Sequence, residues 1–199
     1  MNRADENEDA PLLTLRTLLS QLRYARGSNQ AKAAAKDFIR KPITNRETGI
    51  TAEVSGESLK KMLSKTAVIK SVSQQAHHQA LANVDKLLAL ATLGLTRKPE
   101  RKNDIGKISQ LHHFDTPMPF DGKVLWVKIL VKEMADIRFP NRLYTLSAVE
   151  INKKPSAIDN SVSGGDNLEE INWPTGRPEG FGRKFAAMIT EVKQGMSSH

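Results

Sequence analysis

Four of the five histidines stand in two adjacent pairs, His77-His78 and His112-His113, and the fifth, His199, ends the chain. Imidazole titrates nearer neutral pH than any other side chain, so pairs of it within one compact region point to proton transfer. In a basic chain the natural target of such chemistry is a polyanion. The two pairs have different surroundings. Ala80, Leu81, Val84, Leu87, Leu88 and Ala91 form an apolar stripe at helical spacing, with His77 inside it and His78 on its flank. The bland expectation is a hydrogen-bonded core histidine at position 77 and an exposed polar residue at position 78. His112 and His113 stand near the start of a strand, where alternation sends one of them toward the helix layer without saying which. Imidazole also binds zinc. No acidic residue accompanies the pairs at ligand spacing, however, and one helical face cannot present both His77 and His78, so neither metal nor cofactor is expected.

Charge narrows the partner. Lys and Arg number 30 against 22 Asp and Glu. Residues 1–40 carry seven cations against five anions, residues 41–154 nineteen against eleven, and residues 155–199 four against six. The whole excess thus sits on the segment holding both histidine pairs, a field suited to phosphate backbones, anionic surfaces or an acidic protein. Arg97, Lys98, Arg101 and Lys102 make a basic loop expected to position phosphate. Without cysteine there is no thiolate site or disulfide framework. No phosphate-cradling glycine loop stands between a strand and a helix, and no nucleophile elbow is present. No apolar run reaches the roughly 18 residues of a membrane span, and the acidic first ten residues are unlike a signal peptide, so cytoplasmic synthesis is the default.

The elements needed to hold these residues follow from pattern. Helical spacing predicts helices over 12–26 and 30–40, followed by turn chemistry at 45–49 and a short strand at Ile50, Ala52 and Val54. Ser55 should cap a helix over about 57–64. The best helix spans 74–91 and is closed by Gly94. Residues 108–116 are extended, with Pro117 and Pro119 marking an edge or strand end. Asp121-Gly122 is a hairpin turn leading into the strand 123–133, whose Leu125, Val127, Ile129 and Val131 share one face while Trp126, Lys128 and Lys132 share the other. A loop at 139–141 leads to a last strand over 142–151, with Leu143, Thr145, Ser147, Val149 and Ile151 on one face and Tyr144 opposite. The expected class is α+β: N-terminal helices packed on a small antiparallel sheet. The division is a helical arm over 1–42, an α+β domain over 43–154, and a flexible C-terminal tail over 155–199 with a short helix near its end.

Certain words recur in this order: Asn45-Arg46-Glu47-Thr48-Gly49-Ile50, Ser58-Leu59-Lys60-Lys61-Met62, and His77-His78-Gln79-Ala80-Leu81-Ala82-Asn83. Asp121-Gly122-Lys123-Val124-Leu125-Trp126, Val131-Lys132-Glu133, Leu143-Tyr144 and Val149-Glu150-Ile151 follow. Over about residues 43–154 the chain resembles the small α+β modules of phage and mobile-element polyvalent proteins. More broadly it resembles the barnase/EndoU/colicin/RelE-like superfamily of ribonuclease toxins. The resemblance implies metal-independent cleavage of RNA such as tRNA by attack of the ribose 2′-hydroxyl, which needs a base, an acid and cations against the phosphate. Carried over residue by residue, it implies a catalytic set of Lys61, His77, His113, Tyr144 and Ser147, with His78 and His112 as near alternatives. Arg97, Lys98, Arg101, Lys102 and Lys128 would hold nucleic acid, and an immunity protein would be the partner. Two other readings stay open. One is a non-catalytic module binding nucleic acid or protein through the same basic face. The other is an effector delivered into another cell to act on a host protein.

Overall fold

The computed structural model describes residues 21–135 and 144–153, with Ala187, Thr190 and Gln194, but not the side chains of Tyr144, Thr145 and Ser147. The expectations for residues 12–20, for the loop 139–141 and for the linker in the tail lie outside the described residues. Of the expected terminal helix, Ala187 and Thr190 are described, and both are helical.

The class is α+β. Helix α1 (Ser28–Ala35) leads through turns into β1 (Pro42–Thr44) and β2 (Thr51–Glu53). Then come α2 (Gly56–Met62), α3 (Lys65–Val68), α4 (Gln74–Ala82) and α5 (Val84–Leu90). The chain closes with β3 (Thr92–Arg97), β4 (Ile108–Phe120), β5 (Lys123–Met134) and β6 (Tyr144–Asn152). Six strands form one sheet in the order β1-β2-β6-β5-β4-β3. Its neighbours are antiparallel except β2 and β6, which run parallel through Ala52↔Tyr144 and Glu53↔Thr145.

Local chemistry explains the ends of these elements. Ser55, Ser64 and Ser73 cap α2, α3 and α4, each accepting a hydrogen bond from a first-turn amide: Ser58 N at 3.0 Å, Ala67 N at 3.3 Å and Ala76 N at 3.2 Å. Asp121 and Gly122 take φ of 47° and 71°, the doubly left-handed turn that matches the twist of the long β4–β5 hairpin. Pro117 and Pro119 are accommodated because β3 pairs with β4 only over Leu111–Asp115. Beyond that, the other edge of β4 has no strand partner among the described residues, so a missing amide hydrogen breaks no ladder.

One face of the sheet carries the helices. Phe114, Met118, Val127, Ile129, Val131, Leu146, Val149 and Ile151 point into it and form a single core with Ala76, Ala80, Leu81, Val84, Leu87 and Leu88. Asn45 locks the back of this layer. Its amide donates to Leu88 O at 2.7 Å and Ala91 O at 2.6 Å, while its Oδ1 accepts from Thr48 N and Thr48 Oγ1. The Asn45–Ile50 turn therefore satisfies the carbonyls that α5 leaves open at its C-terminus.

Four expectations are corrected. Residues 22–25 are not helical but run extended across α4, where helical periodicity in an Leu-rich stretch had pointed to a helix. Gln79 accepts from Ala25 N and donates to Arg23 O, and Asn83 does both to Arg23, so two side-chain amides one turn apart imitate the edge of a strand. The helix expected over 74–91 is two helices, because Asn83 leaves helical geometry (φ −125°, ψ 16°) while serving that segment. Gly94 does not end a helix; it lies inside β3, at the register shift between Leu93 and Leu95. In β6 the shift between Leu130 and Val131 leaves Ser147 as the extra residue, and Leu146, expected on the other face from Val149 and Ile151, joins them in the core.

Candidate functional site

The face of the sheet turned away from the core holds a trough of about 980 Å³. Its floor is made by the residues that alternate away from the core: Leu111 and His113 of β4, Lys128, Leu130 and Lys132 of β5, and Ala148 and Glu150 of β6. One wall is α2 with its cap, contributing Ser55, Glu57, Ser58 and Lys61, together with Lys70. The other is the β3–β4 connection, with Arg97, Glu100, Arg101, Asp104 and Lys107. Seven Lys and Arg side chains thus meet four carboxylates in one concavity, an arrangement that focuses positive potential.

Pairing sorts these cations. Lys61 Nζ lies 2.7 Å from Glu57, Arg97 Nη1 2.6 Å from Glu100, and Lys132 Nζ 3.2 Å from Asp104. The Lys61 ammonium, by hydrogen bond and charge, holds the Glu57 carboxyl below its ordinary value. Lys70, Arg101, Lys107 and Lys128 have no ion-pair partner among the described residues. Arg97 Nε–H donates to His113 Nε2 at 3.3 Å, a bond that joins the wall of the trough to its floor.

Of the residues singled out from sequence, Lys61, His113, Arg97, Arg101 and Lys128 come together in this trough. Lys98 and Lys102 do not line it, and both are exposed. The side chains of Tyr144 and Ser147 lie outside the described residues, although both positions belong to β6. His77 is not in the trough. It is fully buried on the opposite side of the sheet, with Nε2 2.8 Å from Met62 O and Nδ1 2.8 Å from Ser71 Oγ. Burial pushes its pKa down, against the opposing effect of the Met62 carbonyl. The sheet therefore separates His77 from His113, and no acid–base pair forms between them.

The alternates are also elsewhere. His78, expected at the surface, is only 5% exposed and packs edge-on to His77, with Nδ1 3.4 Å from Arg26 O. His112 points to the helix-covered face, where Nε2 meets Glu133 Oε2 at 3.1 Å and Nδ1 meets Thr96 Oγ1 at 3.0 Å. Trp126 is 4% exposed and so is not a stacking platform. Lys70, Lys107 and Lys132 belong to the trough but were absent from the expected site. The strand alternation that selects Lys128 also selects Lys132, whereas nothing local marks Lys70.

The chain belongs to the family Large polyvalent protein-associated domain 3, which matches residues 24–144 and so takes in every element from α1 to β5. This supports the polyvalent-protein part of the resemblance. No curated protein and no solved structure matches the chain significantly. Among the described residues, no helix is long and apolar enough to cross a membrane.

Proposed function

We propose that this polyvalent-protein domain is a non-catalytic binding module that holds the phosphate backbone of a single nucleic-acid strand in the basic trough. The observation that carries this reading is the convergence of seven cations, four of them without a carboxylate partner among the described residues, in one concavity. A volume of about 980 Å³ is near the upper end of ordinary small-ligand pockets, on the order of 300–1,000 Å³, and suits a short stretch of strand rather than a duplex. Ammonium and guanidinium groups that meet phosphate read charge, not base identity, so sequence preference should be weak.

Fluorescence anisotropy with labelled RNA and DNA oligonucleotides in EDTA tests it. The expected result is binding of an oligonucleotide that stays intact, with log affinity falling against log salt by about 0.7 per phosphate contacted. Arg101→Glu with Lys128→Glu should weaken binding at least about tenfold, by two reversed charges facing the strand. Binding that ignores salt, or capture only of an acidic protein, would overturn the assignment.

A second reading keeps the ribonuclease resemblance, and one observation favours it: His113, alone among the described histidines, lines the trough, beside Lys61 and Lys128. There His113 Nε2, released by Arg97, would take the 2′-hydroxyl proton as that oxygen attacked the phosphorus, while the cations met the phosphate. The bond to the 5′-oxygen would break with that oxygen taking a proton from a lysine ammonium or water. Fragments ending in 2′,3′-cyclic phosphate, lost in His113→Ala, would replace the binding reading with this one.

A further inference from the structure

A second cavity, of about 560 Å³, lies on the other side of α2 and is lined by Lys32, Lys60 and Leu63 with Ser28 and Ser64. Glu57 and Lys61 line both cavities, so α2 is the ridge between them and this ion pair is its crest. The crest is not packed down: the Lys61 and Glu57 side chains are 71% and 76% exposed. Lys32 and Lys60, like the unpaired cations of the trough, have no ion-pair partner among the described residues. The small helix thus carries Lys61 on the crest between the two cavities and Lys60 on the side of the second.

We propose that the bound strand crosses α2 at Lys61 and continues into this second cavity, where Lys32 and Lys60 contact its next phosphates. The inference rests on the single-strand reading of the trough. An exposed surface pair contributes little on its own, so Lys61 can exchange the Glu57 carboxylate for a phosphate at small cost. The Ser28 and Ser64 hydroxyls stand beside the lysines as further hydrogen-bond donors to phosphate or sugar oxygens. The footprint is then set by two cavities in series, longer than the trough alone would take.

The experiment compares oligonucleotides of about four and about twelve nucleotides, lengths spanning the usual site sizes of single-strand-binding domains. Both are titrated against the full chain and its Lys32→Ala/Lys60→Ala variant, with circular dichroism confirming that these exposed substitutions leave the fold intact. The longer oligonucleotide should bind the unaltered chain at least about tenfold more tightly, with a salt slope steeper by about 1.4 for two further phosphates. The double variant should bring it to within about twofold of the shorter one and abolish the extra slope. If the variant binds the longer oligonucleotide with undiminished affinity and slope, the strand does not enter the second cavity and the inference is wrong, while the trough reading stands. If neither oligonucleotide binds the unaltered chain, the trough reading falls and this inference with it.

Discussion

Ser71 Oγ lies 2.8 Å from His77 Nδ1 and 2.9 Å from the Ile151 amide nitrogen, so one hydroxyl ties α4 to the edge of β6. The Ile151 N–H must donate to Oγ, which leaves the hydroxyl hydrogen for Nδ1. The ring proton then sits on Nε2 and is donated to Met62 O. Beside this node, Val72 N–H donates to Ile151 O at 3.0 Å, so the 71–72 segment covers the β6 edge past its short pairing with β2.

The His77 ring therefore holds the fold rather than a substrate. His77→Ala should lower stability by about 3 kcal/mol, since it removes the donor to the Met62 carbonyl and the acceptor of the Ser71 hydroxyl hydrogen and leaves a cavity in place of a fully buried ring. Urea unfolding followed by circular dichroism measures this. A variant as stable as the unaltered chain would contradict the node.

Acid should loosen the same node. The folded-state pKa of His77 is lowered from its ordinary 6.5 by burial, so the unfolded chain binds the proton more readily than the folded one. The stability contributed by the neutral ring is fully present above about pH 6.5 and is lost as the pH falls through the folded-state value. Urea midpoints taken from pH 7.5 down to 5 should fall more steeply for the unaltered chain than for His77→Gln, whose amide does not titrate. Parallel curves would show that His77 is not the group responsible.

Asn45 is both donor and acceptor at the end of α5, and only an amide can fill both roles. Asn45→Asp keeps the size but sets a carboxylate against the carbonyls of Leu88 and Ala91. We expect it to cost more than Asn45→Ala, itself about 2 kcal/mol for the unmade buried bonds. Thermal melts of the two variants give the order directly, and the reverse order would refute the assignment.

Residues 22–25 depend on two side chains for the backbone partners that a neighbouring strand would otherwise supply. Replacing both Gln79 and Asn83 with Ala should free this segment and speed trypsin cleavage after Arg23 and Arg26 at least about tenfold, as local opening loses its hydrogen bonds. Mass spectrometry of a digestion time course reads the cut sites. Unchanged rates would mean that Arg26, between the Tyr24 and Phe120 rings and paired with Asp121, is the real anchor.

Much of the candidate site was legible because strand alternation acts over two residues. Lys128 faces away from Val127 and Ile129 whatever the rest of the chain does, and the run of cations marked Arg97 and Arg101 as a basic loop, although the strand that Arg97 ends was not expected. The role of the histidines was legible only in part. Periodicity placed His77 on the apolar stripe, but the stripe stays in phase across the break at Asn83, and nothing local reveals that the stripe and His113 meet opposite faces of one sheet.

The sequence by itself determined what depends on near neighbours: the serine caps, the Asp121-Gly122 turn, the strand faces of β5 and the concentration of positive charge between residues 41 and 154. Tertiary structure decided what depends on distant partners. It set β2 parallel to β6, carried residues 22–25 across α4 as an extended segment, shifted the face of β6 at Ser147, and put α2 beside the sheet so that Lys61, His113 and Arg101 share one trough. The physical reason is range. Capping, turn geometry and alternation are satisfied within a few residues, whereas the face on which an imidazole ends is fixed only when helices and strands far apart in the chain bury one side of the sheet together.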